Sequence, residues 1–188
     1  MNPPLYLHQS AAIERAIQRG GSLALFHEPG LGKSRAALEI FSHLREQTPT
    51  LKMLVVCPLS LVEAVWKPET ETYTPFRWCS LKRYDRNADV FVINYEAITR
   101  ASGQRLLQES RLLSGPLLLV ADESSRLKDS RSLTSKTLLA LAERCQARLV
   151  MSGTPAPNNL SELWAQLKVV DPNSVHRSFF AWRREYFF

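Results

Sequence analysis

The sequence predicts an α/β domain: a mainly parallel sheet of about six or seven strands with helices on both faces. Three observations carry this. Short, nearly continuous apolar runs recur at 52–57, 90–94, 117–121 and 148–151, the pattern of strands buried on both faces. Between them lie stretches whose apolar residues repeat at helical spacing. Finally, HEPGLGKS at 27–34 links an apolar run to a helix-forming run through glycines, which reads as strand, turn and helix start.

At 188 residues the chain suits one domain with a substantial core. The expected division is a domain over 1–173, followed by an aromatic-rich segment over 174–188. Hydrophobic residues make up 45% and charged residues 22%, as in a soluble globular protein, and no apolar stretch approaches the roughly 20 residues needed to span a bilayer. MNPPLYLHQS has neither the basic start nor the apolar core of a signal peptide, so a cytoplasmic location and no membrane partner are expected. Cys57, Cys79 and Cys145 are odd in number and far apart, which points to free thiols rather than disulfides or zinc. A net charge of +6 favours a polyanionic partner, although charge alone does not specify one.

In chain order, Ala12, Ile13, Ala16 and Ile17 define the inward face of a first helix, and Gln9 shares that face. Its amide can pair with the N6 and N7 edge of adenine, with Leu5 or Tyr6 supplying apolar or stacking contact; a solvated glutamine at a helix start is the alternative. Gly20-Gly21 ends the helix, and a strand over 22–26 leads into the glycine loop. Gly30 and Gly32 allow the loop to aim backbone N–H groups at one point, where the next helix adds its positive dipole end. Lys33 supplies a point charge for terminal phosphates and Ser34 a hydroxyl for magnesium, the arrangement of a P-loop. Pro29, Gly30, Leu31, Gly32, Lys33, Ser34 and Arg35 are therefore the candidate nucleotide contacts. The strict motif has a first glycine where His27 stands, and a glycine turn that merely joins strand to helix is the alternative.

Ala37, Ile40, Phe41 and Leu44 give the following helix a sheet-facing stripe. The strand at 52–57 closes with Pro58 and delivers Ser60, a candidate phosphate contact and also the N-cap of a helix carrying Val62, Val65 and Trp66. A weaker strand at 77–81 precedes Lys82–Asn87, which reads as a solvated loop or as a basic contact to a nucleic-acid backbone. Asn94 and Tyr95 open the loop after the strand at 90–94, and a helix interrupted at Ser102-Gly103 is expected up to Leu113.

The most apolar run, 117–121, delivers Asp122 and Glu123 to a strand end. Surface acids are common there, but a strand-terminal Asp also holds magnesium opposite a loop Ser, and an adjacent Glu can deprotonate an attacking water. Arg126, Lys128 and Arg131 follow in RLKDSRS, either solvated or against DNA. The strand at 148–151 delivers Ser152, Gly153 and Thr154. Asn159 and Glu162 resemble a capping box, and Leu160, Leu163, Trp164 and Leu167 form a helical stripe. SFFAWRREYFF at the C-terminus either folds back on the core or meets a further domain or partner.

Taken together, Gln9, HEPGLGKS, VVCPLSLVEAVW, VFVINYEAI, ADESSRLKDSRS and MSGTPAPNNLSELW resemble the first, RecA-like lobe of superfamily-two helicase-like ATPases, the Swi/Snf-type DNA translocases in particular. The resemblance spans Leu5 to about Asp171. It implies ATP and Mg2+, with Gln9 on adenine, Lys33 on the phosphates, Ser34 and Asp122 on magnesium, and Glu123 as catalytic base. It also implies that Ser152, Gly153 and Thr154 couple nucleotide state to DNA, and that double-stranded DNA meets Ser60, Asn94, Tyr95, Arg126, Lys128 and Arg131. A second RecA-like lobe, in cis or in trans, would supply an arginine finger. The chain departs from the pattern at His27, Pro29 and Ser125, the last standing where histidine commonly completes the acid pair. A binding module without turnover and a small P-loop kinase are the competing readings.

Overall fold

The computed structural model describes residues 3–173, 175, 176 and 178–187. In order, the elements are α1 (Leu7–Gln18), β1 (Leu23–Leu25), α2 (Lys33–Gln47), β2 (Lys52–Cys57), α3 (Leu59–Leu61), a π-helical turn (Val62–Trp66), α4 (Lys67–Tyr73), β3 (Trp78–Ser80), β4 (Val90–Asn94), α5 (Tyr95–Ile98), α6 (Ala101–Glu109), β5 (Leu117–Asp122), α7 (Leu133–Ala142), β6 (Ala147–Met151), α8 (Leu163–Val170) and α9 (Phe179–Phe187). Short 3₁₀ turns fill several connections. The six strands form one sheet, β1-β6-β5-β2-β4-β3, and every pairing is parallel. All strands therefore end on one edge, as the α/β alternation predicts.

Strand side chains alternate between faces, so each apolar run builds both halves of the core. Met53, Val55 and Cys57 of β2 join Val90, Val92, Leu118 and Val120 beneath α1 and α2. Leu54 and Val56 join Phe91, Ile93, Leu119 and Ala121 on the other face, under α5 to α8. Trp182 of α9 also packs into this second cluster, while Phe180 of the same helix stays exposed. Ser174, Arg177 and Phe188 of the expected C-terminal segment lie outside the described residues. The three cysteines are free and buried, and burial raises each thiol's pKa, so they are packing residues of low reactivity. Among the described residues no helix is long and apolar enough to cross a membrane.

Some local expectations are corrected. The break after β4 falls at Thr99–Arg100, and Ser102-Gly103 lies inside α6. Gly103 is there because a Cβ would run into the Ala97 carbonyl, so the residue permits α5 and α6 to touch rather than interrupting a helix. Ser60 sits within α3 and does not cap it; Pro58 holds the N-cap position without a side-chain bond. Asn159 bonds the Ser161 N–H, whereas Glu162 turns to Asn158, so the expected capping box does not close. In α8 the buried positions are Trp164, Ala165, Gln166 and Val169, with Leu160 just ahead of the helix left exposed.

At the amino-terminal edge of the sheet, Asp89 collects charge. Its carboxylate accepts the Arg77 N–H at 3.0 Å and the Lys52 ammonium at 3.0 Å, and Arg45 Nη1 lies 2.6 Å away. Burial works against ionisation, but these donors outweigh it and hold the carboxyl below its ordinary 3.8. A depressed folded pKa gives stability that is present above pH 3.8 and is lost as pH falls through the folded value. Asp89→Ala is expected to cost roughly 1–3 kcal/mol near neutrality and to flatten the acid limb of stability against pH, as measured by denaturant unfolding across a pH series.

Candidate active site and nucleic-acid face

The parallel order brings the loops together along the carboxyl edge in a fixed sequence. The glycine loop after β1 comes first, then Ser152–Thr154 after β6, Asp122–Glu123 after β5, Ser60 after β2 and Asn94 after β4, with Lys82 and Arg83 beyond β3. Register fixes the neighbours: Asp122 pairs with Met151 and Cys57 with Asn94.

Gly32 is left-handed at φ 68° and begins α2 without a side-chain cap or an acidic residue in the first turn, so the helix's positive end faces the loop unneutralised. A Cβ at Gly32 would strike the Gln9 amide. Gln9 itself is buried; its Nε2 donates to the Gly32 carbonyl at 3.2 Å and its Oε1 accepts the Tyr6 N–H at 2.9 Å. It is thus no solvated glutamine: it pins α1 to the loop. Lys33 donates to the carbonyls of His27 at 2.8 Å and Glu28 at 3.1 Å, so its ammonium is held across the loop by neutral acceptors. His27 lies edge-on to His8, and burial first, then the charges of His8 and Lys33, lower its pKa below 6.5. Near neutrality it therefore adds no charge to the loop.

Pro29, Gly30 and Leu31 form the exposed rim of the loop, whereas Ser34 and Arg35 are buried. The Arg35 guanidinium bonds the Pro3 carbonyl and lies 4.6 Å from the centre of the Tyr73 ring. The structure therefore engages Arg35 between the N-terminal segment and α4, unlike Lys33, whose ammonium lies across the loop.

Asp122 is the buried charge of the site, 5% exposed. Burial raises its carboxyl to about 6 and the neighbouring Glu123 charge adds to the rise, while the Trp66 and Glu123 N–H groups and Lys33 oppose it. Trp66 Nε1 donates to Oδ2 at 3.0 Å and the Glu123 N–H to Oδ1 at 3.0 Å. Trp66, fully buried, closes the π-helical turn that begins just after Ser60, so one short segment carries both a surface hydroxyl and the indole that orients this carboxylate. Glu123 has φ 52°, a left-handed conformation that costs energy in a non-glycine residue and is over-represented at functional sites.

Ser34 and Asp122 offer a hydroxyl and a carboxylate, hard oxygen donors that suit magnesium with phosphate and water completing its shell. Among the described residues no group of three or more His, Cys, Asp or Glu is placed to hold a metal ion by itself. The open loop with left-handed Gly30 and Gly32, the uncapped helix end and the Lys33 ammonium fit a triphosphate.

The Ser152–Thr154 loop touches this machinery directly. A Cβ on Gly153 would come within 2.7 Å of Pro29 Cδ, so glycine is needed for the contact between the two loops. Ser152 is fully buried, its N–H donates to the Leu25 carbonyl at 3.3 Å, and its hydroxyl accepts the Thr154 N–H at 3.1 Å.

The expected nucleic-acid residues separate. Ser60 and Asn94 line one cavity of about 410 Å³ together with Ser80, Lys82 and Arg83. Arg126 lies by Glu96, 3.4 Å away, and the same carboxylate accepts from Asn94 Nδ2 at 2.9 Å. Lys128 and Arg131 border a separate cleft with Phe180 and Arg183. Tyr95 is corrected: it is 2% exposed and its hydroxyl donates to the Asp122 backbone carbonyl at 2.9 Å, so it braces the end of β5 from within. Sequence reasoning missed Trp66 and Gln166 and left Lys82 and Arg83 undecided. The signals that could have found them were a polar N–H on a core tryptophan and a lone amide in the apolar run LWAQLKVV.

Trp66→Phe keeps an aromatic ring in place but leaves Asp122 Oδ2 without its indole donor. It is expected to destabilise the chain by roughly 1–3 kcal/mol and to drive the Asp122 carboxyl further up, readable by denaturant unfolding and by NMR titration of the Asp122 side chain.

The SNF2-related domain family matches residues 8–187. The chain is 31% identical over 170 residues to the "SWI/SNF-related matrix-associated actin-dependent regulator of chromatin subfamily A-like protein 1 homolog" of Caenorhabditis elegans, covering 89% of this chain and 24% of that protein. It is 29% identical over 185 residues to the DNA repair and recombination protein RAD54B of Gallus gallus, covering 89% of this chain and 19% of the relative. The chain thus spans about a quarter or less of these relatives. The fold is similar to that of the Sulfolobus solfataricus SWI2/SNF2 ATPase core solved in complex with dsDNA, with a TM-score of 0.81 at 19% identity, covering 98% of this chain and 39% of that one. The chain belongs to the SNF2-related domain family.

Proposed function

We propose that the chain is the ATP- and magnesium-binding lobe of a DNA-stimulated ATPase that moves along double-stranded DNA, and that it hydrolyses ATP slowly without a second lobe. The observation that carries this reading is the order of loops along one sheet edge: a glycine loop with its lysine at one end, buried Asp122 beside half-buried Glu123 in the middle, and a cavity where Ser60, Asn94, Lys82 and Arg83 meet Glu63 beyond.

In this reading Lys33 exchanges the His27 and Glu28 carbonyls for phosphate oxygens, and the Gly30–Ser34 backbone wraps the triphosphate. Gln9, already fixed on the loop, reports on adenine through the same amide. Ser34 and Asp122 would hold magnesium, which when bound would neutralise charge on the phosphoryl oxygens. Glu123 takes a proton from the attacking water as the water oxygen bonds the terminal phosphorus and the bridging P–O bond breaks, releasing ADP and phosphate. Ser152, Gly153 and Thr154 pass the state of the phosphate loop along the edge. An arginine from a second lobe would add on the order of 10³ to 10⁵ in rate.

Ser60, Asn94, Lys82 and Arg83 suit a DNA phosphate, with Arg126, Lys128 and Arg131 extending the basic face. The shared chemistry is recognition of backbone rather than base edges, which fits movement along DNA irrespective of sequence.

Isothermal titration of the chain with magnesium and ATP is expected to show binding that Lys33→Ala weakens and Glu123→Gln preserves. In the protein completed by its second lobe, Glu123→Gln abolishes hydrolysis, and equal loss of binding in both variants contradicts the role given to Glu123. Replacing Lys82 and Arg83 by alanine is expected to lower the slope of log DNA affinity against log salt by about 0.9 for each phosphate no longer neutralised. Hydrolysis indifferent to duplex DNA in the completed protein contradicts the translocase reading.

A further inference from the structure

The carboxylate loop and the Ser152–Thr154 loop are joined by a buried amide. Ser124 and Gln166 are both fully buried. The Ser124 hydroxyl donates to Gln166 Oε1 at 2.6 Å, and Gln166 Nε2 donates to the Pro155 carbonyl at 2.6 Å and to the Glu162 carbonyl at 3.1 Å. Ser124 directly follows Glu123, and Pro155 directly follows Thr154.

An amide is the side chain that can accept from one loop and donate to another. A leucine of similar size would strand the fully buried Ser124 hydroxyl, at a cost larger than the bond itself contributes, and would release the half-buried Pro155 carbonyl. α8 buries Gln166 together with Trp164, Ala165 and Val169, while Leu163 and Leu167 are half-buried. The helix therefore carries a polar link to both loops within its apolar packing face.

The two loops also reach the nucleotide region by different routes. Ser152–Thr154 meets the phosphate loop at Gly153 and Pro29, on the exposed rim of that loop. Glu123 lies in the loop that, on the reading proposed above, faces the terminal phosphate and the attacking water. We infer that Gln166 is a positioning residue that makes these loops one unit, so that Ser152–Pro155 senses the terminal phosphate through Glu123 and Ser124. This rests on the ATPase reading of the site and adds to it a residue outside the recognised motifs.

Hydrogen exchange of the chain tests it, comparing MgADP with magnesium and a non-hydrolysable ATP analogue on segments 27–34, 123–127 and 152–156. In the wild-type chain all three segments respond to nucleotide, and both 123–127 and 152–156 distinguish the triphosphate from the diphosphate. In the double variant Ser124→Ala with Gln166→Leu, 123–127 keeps that distinction while 152–156 loses it and responds equally to both nucleotides. Persistence of the distinction at 152–156 in the variant overturns the inference. So does its absence in the wild-type chain when 27–34 responds to nucleotide. If 27–34 responds to neither nucleotide, the nucleotide reading itself fails, and this role with it. Should the double variant not fold, Ser124→Ala alone removes the first bond, leaves Gln166 on Pro155, and is judged by the same outcomes.

Discussion

The site is organised by one constraint: a carboxylate, Asp122, must remain inside the protein. Its oxygens meet the Trp66 and Glu123 N–H groups, and its backbone carbonyl accepts the Tyr95 hydroxyl. Desolvation still dominates and holds its carboxyl near 6. On the reading proposed above, a cation beside Asp122 would relieve that cost. The supports come from different elements, the segment after β2, the start of α5 and the strained residue after β5, which makes the carboxylate a meeting place for the loops of the edge.

From this centre, contacts spread along the edge without a gap. Toward the phosphate loop, Gly153 packs on Pro29 and Gln9 ties α1 to Gly32. Toward the basic cavity, the π-helical turn leads from Trp66 back to Ser60. Beneath, Gln166 joins Ser124 to Pro155. On the reading proposed above, these contacts would carry a rearrangement at one loop to its neighbours, as coupling a nucleotide cycle to DNA requires. At the opposite edge Asp89 accepts from Arg77 and Lys52, which joins the starts of β2, β3 and β4, and pairs with Arg45 of α2.

Much of the fold was legible in the sequence because buried parallel strands are apolar on both faces, and runs such as LKMLVVC and GPLLLVAD have few other readings. Glycine positions and the Asp-Glu pair identified the loops that converge, since parallel strands deliver their ends to one edge. Relations between side chains distant in sequence were not legible. In α8 the apolar stripe placed Trp164 in the core correctly, but Leu160 is exposed and the buried amide of Gln166, bonded to Ser124, is encoded by no periodicity. Tyr95 looked like a loop residue because it follows a strand, but its hydroxyl finds Asp122 across the sheet. Ser102-Gly103 looked like a breaker because glycine usually is one, whereas here it lets two helices meet.

The central claim is that the Gly30–Ser34 loop and Asp122 form one site for a magnesium-bound triphosphate. A crystal structure of the chain grown with magnesium and a non-hydrolysable ATP analogue tests it most directly. The account predicts phosphates against Gly30–Ser34, Lys33 moved from the His27 and Glu28 carbonyls to phosphate oxygens, and a metal ion between Ser34 and Asp122. A nucleotide bound elsewhere, or Lys33 still on those carbonyls beside a bound nucleotide, would contradict it.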